Sequence, residues 1–313
     1  MENKCLYCYE SVDGDQNFHE KCSQEFFGSS KAPSIEYSLN QMDELARNVV
    51  ERSVAVPGVQ AKLSMSLVKE TKEKTDSRLT VIGALGGQYI FKPPSDHFPE
   101  MPANEHVTMR IAEAFGIRVV PSSLIRLASG ELSYITKRID RTENGEKIHM
   151  IDMFQITEAF DKYKGSMERI GKALDLYSDN TLLDKIFYFE LVLFSFLTGN
   201  NDMHLKNFSM IEDSSGWVLS PAYDLLNVGI VLPEDKEELA LTLAGKKSKL
   251  KWEHFEKLAQ GIGLTQKQIS GVVKRMLKNK SKAIELLDKS FLSDEMTIAY
   301  KEVLEAKYKQ LGI

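Results

Sequence analysis

Fourteen residues, Ile186 to Gly199 (IFYFELVLFSFLTG), constrain this chain more than any other stretch. They fall short of the roughly 20 apolar residues that cross a bilayer, and Glu190 interrupts them. A helix this apolar on every side is stable in water only inside a core, so other elements must cover it. The chain then turns polar at once. Thr198 to Ser209 reads TGNNDMHLKNFS and gathers Asp202, His204, Lys206 and Asn207 into six residues. A solvated loop is the bland reading, but solvated loops rarely leave a core helix with Asp, His, Lys and Asn in such close order. The sharper reading is a chemical site carried at the end of a rigid support.

Around this helix the sequence reads as an α+β protein of two lobes. Its 313 residues, 42% apolar and 27% charged, suffice for one or two compact domains without a covalent staple. Scattered Gly and Pro with 9% aromatic residues exclude a collagen-like or disordered chain. The opening MENKCLYCYESVDG has no apolar signal core, which predicts a cytoplasmic protein. Leu39 to Arg52 has helical spacing. Between Val54 and Arg138 the runs AKLSMSLV, RLTVIGAL, QYIFK, SSLIRLA and ELSYITKR predict a small antiparallel sheet, interrupted by one helix at Asn104 to Phe115 that Gly116 closes. Beyond Arg141 the helical segments are MIDMFQITEAF, MERIGKALDLY, LLDKIFYFELVLFSFL, WEHFEKLAQGIG, TQKQISGVVKRMLKN, KAIELLDKSF and SDEMTIAYKEVLEAKYKQL, with a loop-and-strand region at Gly199 to Leu250. The boundaries fall at 1–33 for an N-terminal Cys/His segment, 34–141 for a β-rich N-lobe and 142–313 for a helical C-lobe, with a cleft expected between the lobes.

All three cysteines lie in the first segment. Cys5, Cys8, His19 and Cys22 have the spacing C-x2-C-x10-H-x2-C, two close ligand pairs suited to one tetrahedral zinc. Four protein ligands leave no open position, so such a zinc is structural and folds a short knuckle. The other reading is a fortuitous cluster near a frayed terminus. A disulfide framework is not expected of three cysteines in a reducing compartment.

The polar loop has the spacing of phosphoryl transfer. In protein kinases an aspartate orients the attacking hydroxyl, an Asn five residues later holds magnesium, and a second aspartate further on completes the metal site. Asp202 and Asn207 are five apart, and Asp224 follows in LSPAYDLL (219–226). Lys206 lies between them, where it can neutralise the migrating phosphoryl charge. Upstream, Val56, Gly58, Val59, Gln60 and Lys62 belong to a loop at the entrance of the first strand, where a triphosphate would be covered. Lys92 ends a strand, and Glu105 follows thirteen residues later on the only helix of the β lobe. Alone, Lys92 reads as a solvated strand-end lysine; the order of all five elements changes that reading.

At these residues the chain resembles the HipA-like serine/threonine kinases of bacterial toxin–antitoxin modules. The resemblance rests on PGVQAKLS (57–64), YIFKPP (89–94), NE (104–105), KRIDR (137–141), GNNDMHLKNFS (199–209) and LSPAYDLL (219–226). It implies a two-lobed protein-kinase-like fold that binds ATP and Mg2+, with Asp202 catalytic, Asn207 and Asp224 as magnesium ligands and Lys92 on the nucleotide phosphates. Lys137, Arg138 and Ile139 of the KRID strand would then reach the adenine, and His204 would support the loop or act as an auxiliary polar group. The implied function is transfer of the ATP γ-phosphate to a protein serine, with an aminoacyl-tRNA synthetase as target and arrest of translation as outcome. Only about 57 residues precede Gly58, which resembles the short HipT-like form and implies a HipB-like antitoxin and a HipS-like small protein as partners. The serines that commonly precede the loop glycine in the family are replaced by Ala55 and Pro57, with Ser53 the nearest hydroxyl. The alternative functions are an ATP-binding scaffold and a zinc-knuckle interaction protein that assembles with an antitoxin on DNA.

One signal remains outside this reading. Residues 246–282 hold eleven Lys or Arg against Glu253 and Glu256, a local +9 in a chain of formal charge −5. Such asymmetry suits a polyanion, but lysines spread over two amphipathic helices are more often their wet face, and nucleic acid is expected only indirectly, through the antitoxin.

Overall fold

The structure is a computed structural model that describes residues 3–42, 44, 45, 62–69, 77–81, 87–94, 96–142 and 144–313. These fall into two compact units. The first comprises Met1–His106, Val120–Glu146 and Lys289–Phe291; the second comprises Val107–Val119, Lys147–Asp288 and Leu292–Ile313.

The first unit is built on a five-stranded antiparallel sheet. Its strands are β1 (Leu63–Lys69), β2 (Ser77–Val81), β3 (Tyr89–Lys92), β4 (Ser122–Arg126) and β5 (Leu132–Lys137), in the order β2-β1-β3-β5-β4. Register fixes which side chains share a face, because residues directly opposite across an antiparallel pair point the same way. Leu63, Phe91 and Ile135 stand opposite one another on one face, and Lys92 faces Tyr134 on the other. The N-terminal segment packs into the core of this sheet. Helix α1 (Glu20–Phe27) ends at Gly28 in a left-handed cap and buries Phe26 and Phe27 with Leu63, Met65 and Phe91. The Leu6 carbonyl accepts the Leu124 amide at 3.2 Å, tying the segment to β4. The helix of the β lobe is α2 (Met101–Ala114), and the division between the units falls within it, after His106. Of the helix expected over Leu39 to Arg52, the described residues 39–42, 44 and 45 are helical.

The second unit surrounds the apolar run. That run forms α5 (Thr181–Leu197), in contact with α4 (Met167–Tyr177), α6 (Trp252–Gly261) and α8 (Asp294–Leu311). Its residues from Phe187 to Leu197 are all buried, with Phe194 against Phe115 and Phe196 against Phe255. Glu190, the single charge in the run, is buried and forms an ion pair with Arg275 of α7 (Gln266–Lys289). Asp184, 1% exposed, is held by three donors: the Leu219 amide at 2.6 Å, the Ser178 hydroxyl at 2.7 Å and Arg118 at 3.3 Å. No helix among the described residues is long and apolar enough to cross a membrane.

Two expectations differ from the structure. MIDMFQITEAF is not one helix: Met150–Asp152 form β6, paired with β7 (Ser209–Asp213) in a three-stranded sheet completed by β8 (Gly216–Leu219), and only Met153–Ile156 (α3) are helical. Asp152 makes the switch, because its carboxylate caps the Gln155 amide at 2.9 Å while its backbone is extended. Conversely, the two segments from residue 265 onward are one helix, α7. The helix runs unbroken through this polar stretch, where the Asn279 side-chain N–H donates to the Arg275 carbonyl one turn back at 3.1 Å. The lysines of α7 at 267, 274, 278 and 282 are exposed while Ile269, Val272, Met276, Ala283 and Leu287 are buried, as a wet face requires.

Replacing Asp184 by Ala leaves the buried Leu219 N–H without its acceptor. We expect a loss of about 3 kcal/mol, read as a lower urea midpoint with unchanged m-value, and an unchanged midpoint would refute this account of the residue.

Candidate active site

The second unit carries the polar loop directly after α5. Gly199 makes the turn with φ +68°. A Cβ there would stand 2.7 Å from Asn227 Oδ1 and 2.8 Å from Val303 Cγ1, so both conformation and space call for glycine. Its carbonyl accepts the amides of Val228 and Gly229, each at 3.1 Å. The loop after the helix is thereby tied to the segment that follows Asp224.

Within the loop each polar group fixes another. The Asn207 side-chain N–H donates to the Asp202 carbonyl at 3.0 Å, and the His204 amide donates to the same carbonyl at 2.8 Å. The Asn207 amide in turn donates to the His204 carbonyl at 2.9 Å, closing a 3-10 turn at Leu205–Asn207. Asp224 has φ +59°, an unusual conformation for a non-glycine residue and one of the kind that concentrates at functional positions. The charges of Asp202 and Asp224 both favour the protonated form of His204. Burial nevertheless holds the imidazole below its ordinary value, helped by Lys162, so His204 is neutral near pH 7. The Lys206 ammonium lies 4.8 Å from the Phe154 ring centroid and within electrostatic reach of Asp152.

Tyr163 was not among the residues singled out by sequence. Its hydroxyl donates to Asp202 Oδ1 at 2.9 Å, and its ring stands edge-on to His204 at 5.2 Å. Burial and the Asp202 charge push its phenol well above the usual value, so it remains a donor. The residue lies 39 positions before Asp202, in a segment with no motif of its own, and only tertiary structure reveals it.

The first unit carries Lys92 and Glu105. Lys92 Nζ and Glu105 Oε1 are 2.6 Å apart, and their side chains are 5% and 3% exposed. Burying such a pair takes both charges out of water, which is weak support for stability and suits a cation aimed for a task. Tyr134 flanks the ammonium at 5.4 Å. Lys137 belongs to the opposite face: it stands across from Tyr89 in register, with its ammonium 5.7 Å from the Phe26 ring. Arg138 instead forks onto Asp140 at 2.9 and 2.6 Å and reaches Ser64 at 3.4 Å. Ile139 is half-buried, and Lys62 is exposed at the entrance of β1. Val56, Gly58, Val59 and Gln60, with Ser53, Ala55 and Pro57, lie outside the described residues.

Cys5, Cys8, His19 and Cys22 come together as a third group in the first unit. Their ligand atoms all lie within 4.8 Å of one another. His19 Nδ1 is 3.5 Å from Cys8 Sγ and 3.8 Å from Cys22 Sγ. Bond lengths of about 2.3 Å to sulfur and about 2.0 Å to nitrogen give a tetrahedral S···N edge of about 3.5 Å, so the spacing suits a metal. His19 Nε2 donates to the Ser11 carbonyl at 2.9 Å, which leaves Nδ1 as the lone-pair nitrogen. Burial opposes ionisation of Cys5, but backbone amides of Cys8, His19 and Tyr7 outweigh it and hold the thiol below its ordinary value. Burial, then the charges of Cys5 and Cys8, drive Cys22 far up.

Comparison with known proteins agrees with the motifs. The family described as HipA-like C-terminal domain matches residues 54–284, and the chain belongs to it. A Haemophilus influenzae protein named "Putative kinase" is 25% identical over 272 residues, 77% of each chain. The Shewanella oneidensis serine/threonine-protein kinase toxin HipA is 26% identical over 211 residues, 61% of this chain and 46% of that protein. Among solved structures, that of the Shewanella oneidensis MR-1 toxin–antitoxin system HipA with HipB and operator DNA superposes with TM-score 0.67 at 22% identity, over 82% of this chain and 65% of that one. The α+β kinase-like fold expected from the motifs is therefore the observed one.

Asp140 yields a pH prediction. Burial raises its carboxyl, but the hydrogen bonds and charge of Arg138, with the charge of Arg141, prevail and hold it below the usual range. A depressed folded-state value adds stability above the unfolded value of about 4 and loses it as the pH falls through the folded value. The stability gap between the wild type and Asp140→Asn, measured by urea unfolding, should be constant near neutrality and close in acid. A gap that widens on acidification would contradict the assignment.

Proposed function

We propose that this chain transfers the γ-phosphate of ATP to a serine of a protein. The observation that carries the reading is the loop after α5, where the Asn207 side chain and the His204 amide both donate to the Asp202 carbonyl and Gly199 ties the loop to the segment after Asp224. Asp202 orients the acceptor hydroxyl and takes its proton as the phosphoryl group leaves ATP. Asn207 and Asp224 offer hard oxygen donors, which suit magnesium. A bound Mg2+ would neutralise charge on the phosphates. Tyr163 holds the Asp202 carboxylate by its hydroxyl, and Lys206 supplies positive charge beside the transfer. In the first unit Glu105 pairs with Lys92, as the phosphate-contacting lysine of a kinase is paired with a helical glutamate.

We further read the chain as the toxin of a toxin–antitoxin module. Support comes from the family and from the Shewanella oneidensis kinase, which is named a toxin and whose solved structure is in complex with HipB and operator DNA. A HipB-like antitoxin and a HipS-like small protein are the proposed partners, and an aminoacyl-tRNA synthetase is the proposed substrate. The domain division at 1–33, 34–141 and 142–313 is retained as a proposal, with zinc as the ion of the Cys/His knuckle.

Labelled γ-phosphate from Mg·ATP, added to a lysate with this protein or with its Asp202→Asn variant, tests the reading. One discrete labelled protein that requires Asp202 is the expected result and identifies the target. Absence of label in any protein, despite measurable ATP binding, would overturn it in favour of a scaffold. In the same assay Tyr163→Phe should lower kcat by about tenfold with little change in KM for ATP, because the hydroxyl acts on Asp202 during transfer. A change confined to KM would refute that role.

A further inference from the structure

The Cys/His cluster is connected to both members of the Lys92–Glu105 pair by separate routes within one compact unit. The first route runs through α1. Ligand His19 is the N-cap of this helix, and ligand Cys22 lies in its first turn. A helix of eight residues is marginal alone, so an anchor at its start decides whether it forms. At its other end the rings of Phe26 and Phe27 lie 5.9 and 6.2 Å from that of Tyr89, the first residue of β3. Lys92 is the last residue of the same strand.

The second route runs through Tyr9, the neighbour of ligand Cys8. Tyr9 has φ +69° and is buried, and its amide donates to the Cys5 carbonyl at 3.0 Å, closing the turn between the first two cysteines. Its hydroxyl is 2.7 Å from His106 Nδ1, with the two rings edge-on at 5.3 Å. His106 directly follows Glu105 on α2, and both are buried. An unfavourable backbone conformation beside a ligand thus places a hydroxyl against the helix turn that carries the glutamate.

We propose that a zinc ion held by Cys5, Cys8, His19 and Cys22 sets the geometry of the Lys92–Glu105 pair, so that the affinity of this chain for ATP depends on zinc. The proposal rests on the reading of Lys92 as the phosphate-contacting lysine. Zinc fixes the start of α1 and the Cys5–Cys8 turn; α1 seats β3, and Tyr9 seats α2. Tyr9 is a positioning residue, with no contact to nucleotide assigned to it.

The test uses the full-length protein. Elemental analysis should find one zinc per chain, as the four-ligand site requires. Cobalt in its place should show the thiolate charge-transfer band of a tetrahedral site. After chelation the Kd and KM for ATP should rise by about tenfold, with kcat at saturating ATP within about twofold, and zinc should restore both. Tyr9→Phe keeps the ring contacts and the zinc but lacks the hydroxyl. It should raise KM for ATP in the same direction with zinc content unchanged, so the test holds even if the metal-free protein unfolds. Protein without zinc and without a cobalt spectrum would overturn the metal site. Lys92→Ala separates the remaining outcomes. If it weakens ATP binding while chelation and Tyr9→Phe do not, the coupling is refuted and the kinase reading stands. If it leaves ATP binding intact, the reading of Lys92 fails and this proposal fails with it.

Discussion

A helix that is apolar on every side has to be covered on every side, and the second unit is organised around that requirement. α4, α6 and α8 all contact α5, and its residues from Phe187 to Leu197 are all buried. The consequence for function is mechanical. Close-packed side chains leave the end of such a helix little freedom, so the loop that follows begins from a fixed point. Gly199 then turns the chain where a side chain would collide with Asn227 and Val303. Its carbonyl holds the segment after Asp224, so one turn sets the positions of both carboxylates that act on His204.

The buried charges of this chain have two different roles. Asp184 and Glu190 are structural. Asp184 accepts from a strand amide and a hydroxyl with Arg118 alongside, and Glu190 meets Arg275 across helices. Each meets groups that also join elements of the fold. The Lys92–Glu105 pair has a different character. Its cation ends a strand beside an aromatic ring, with its carboxylate on α2, and an apolar pair of similar volume would be no worse for stability.

Local order in the sequence determined what could be read from it. The buried helix, the five-residue interval from Asp202 to Asn207, the strand-end lysine with its helical glutamate and the Cys/His cluster all have signatures within about twenty residues, and the structure brings each grouping together. What the sequence concealed depends on distant partners. Tyr163 meets Asp202 across 39 positions, and β6 exists because β7 pairs with it. Asn279 looks like a helix breaker until its amide is seen bonded one turn back. Lys137 is a different case. Period-two alternation already places it on the Phe91 and Ile135 face, away from Lys92, and the KRID motif obscured that simple inference.

The N-terminal segment shows how a short piece of chain can act beyond its size. It has too few residues for a core of its own and borrows one from the sheet, where Leu6, Phe26 and Phe27 are buried with Leu63 and Phe91. Borrowing works in both directions. Whatever holds the segment in place also holds the face of the sheet against which it packs, and four ligand atoms within 4.8 Å are the strongest local constraint it possesses. The segment reaches that face at two places, since His19 caps α1 and Tyr9 meets His106. Through α1 and Tyr9 the segment is tied both to the strand that ends in Lys92 and to the helix that carries Glu105.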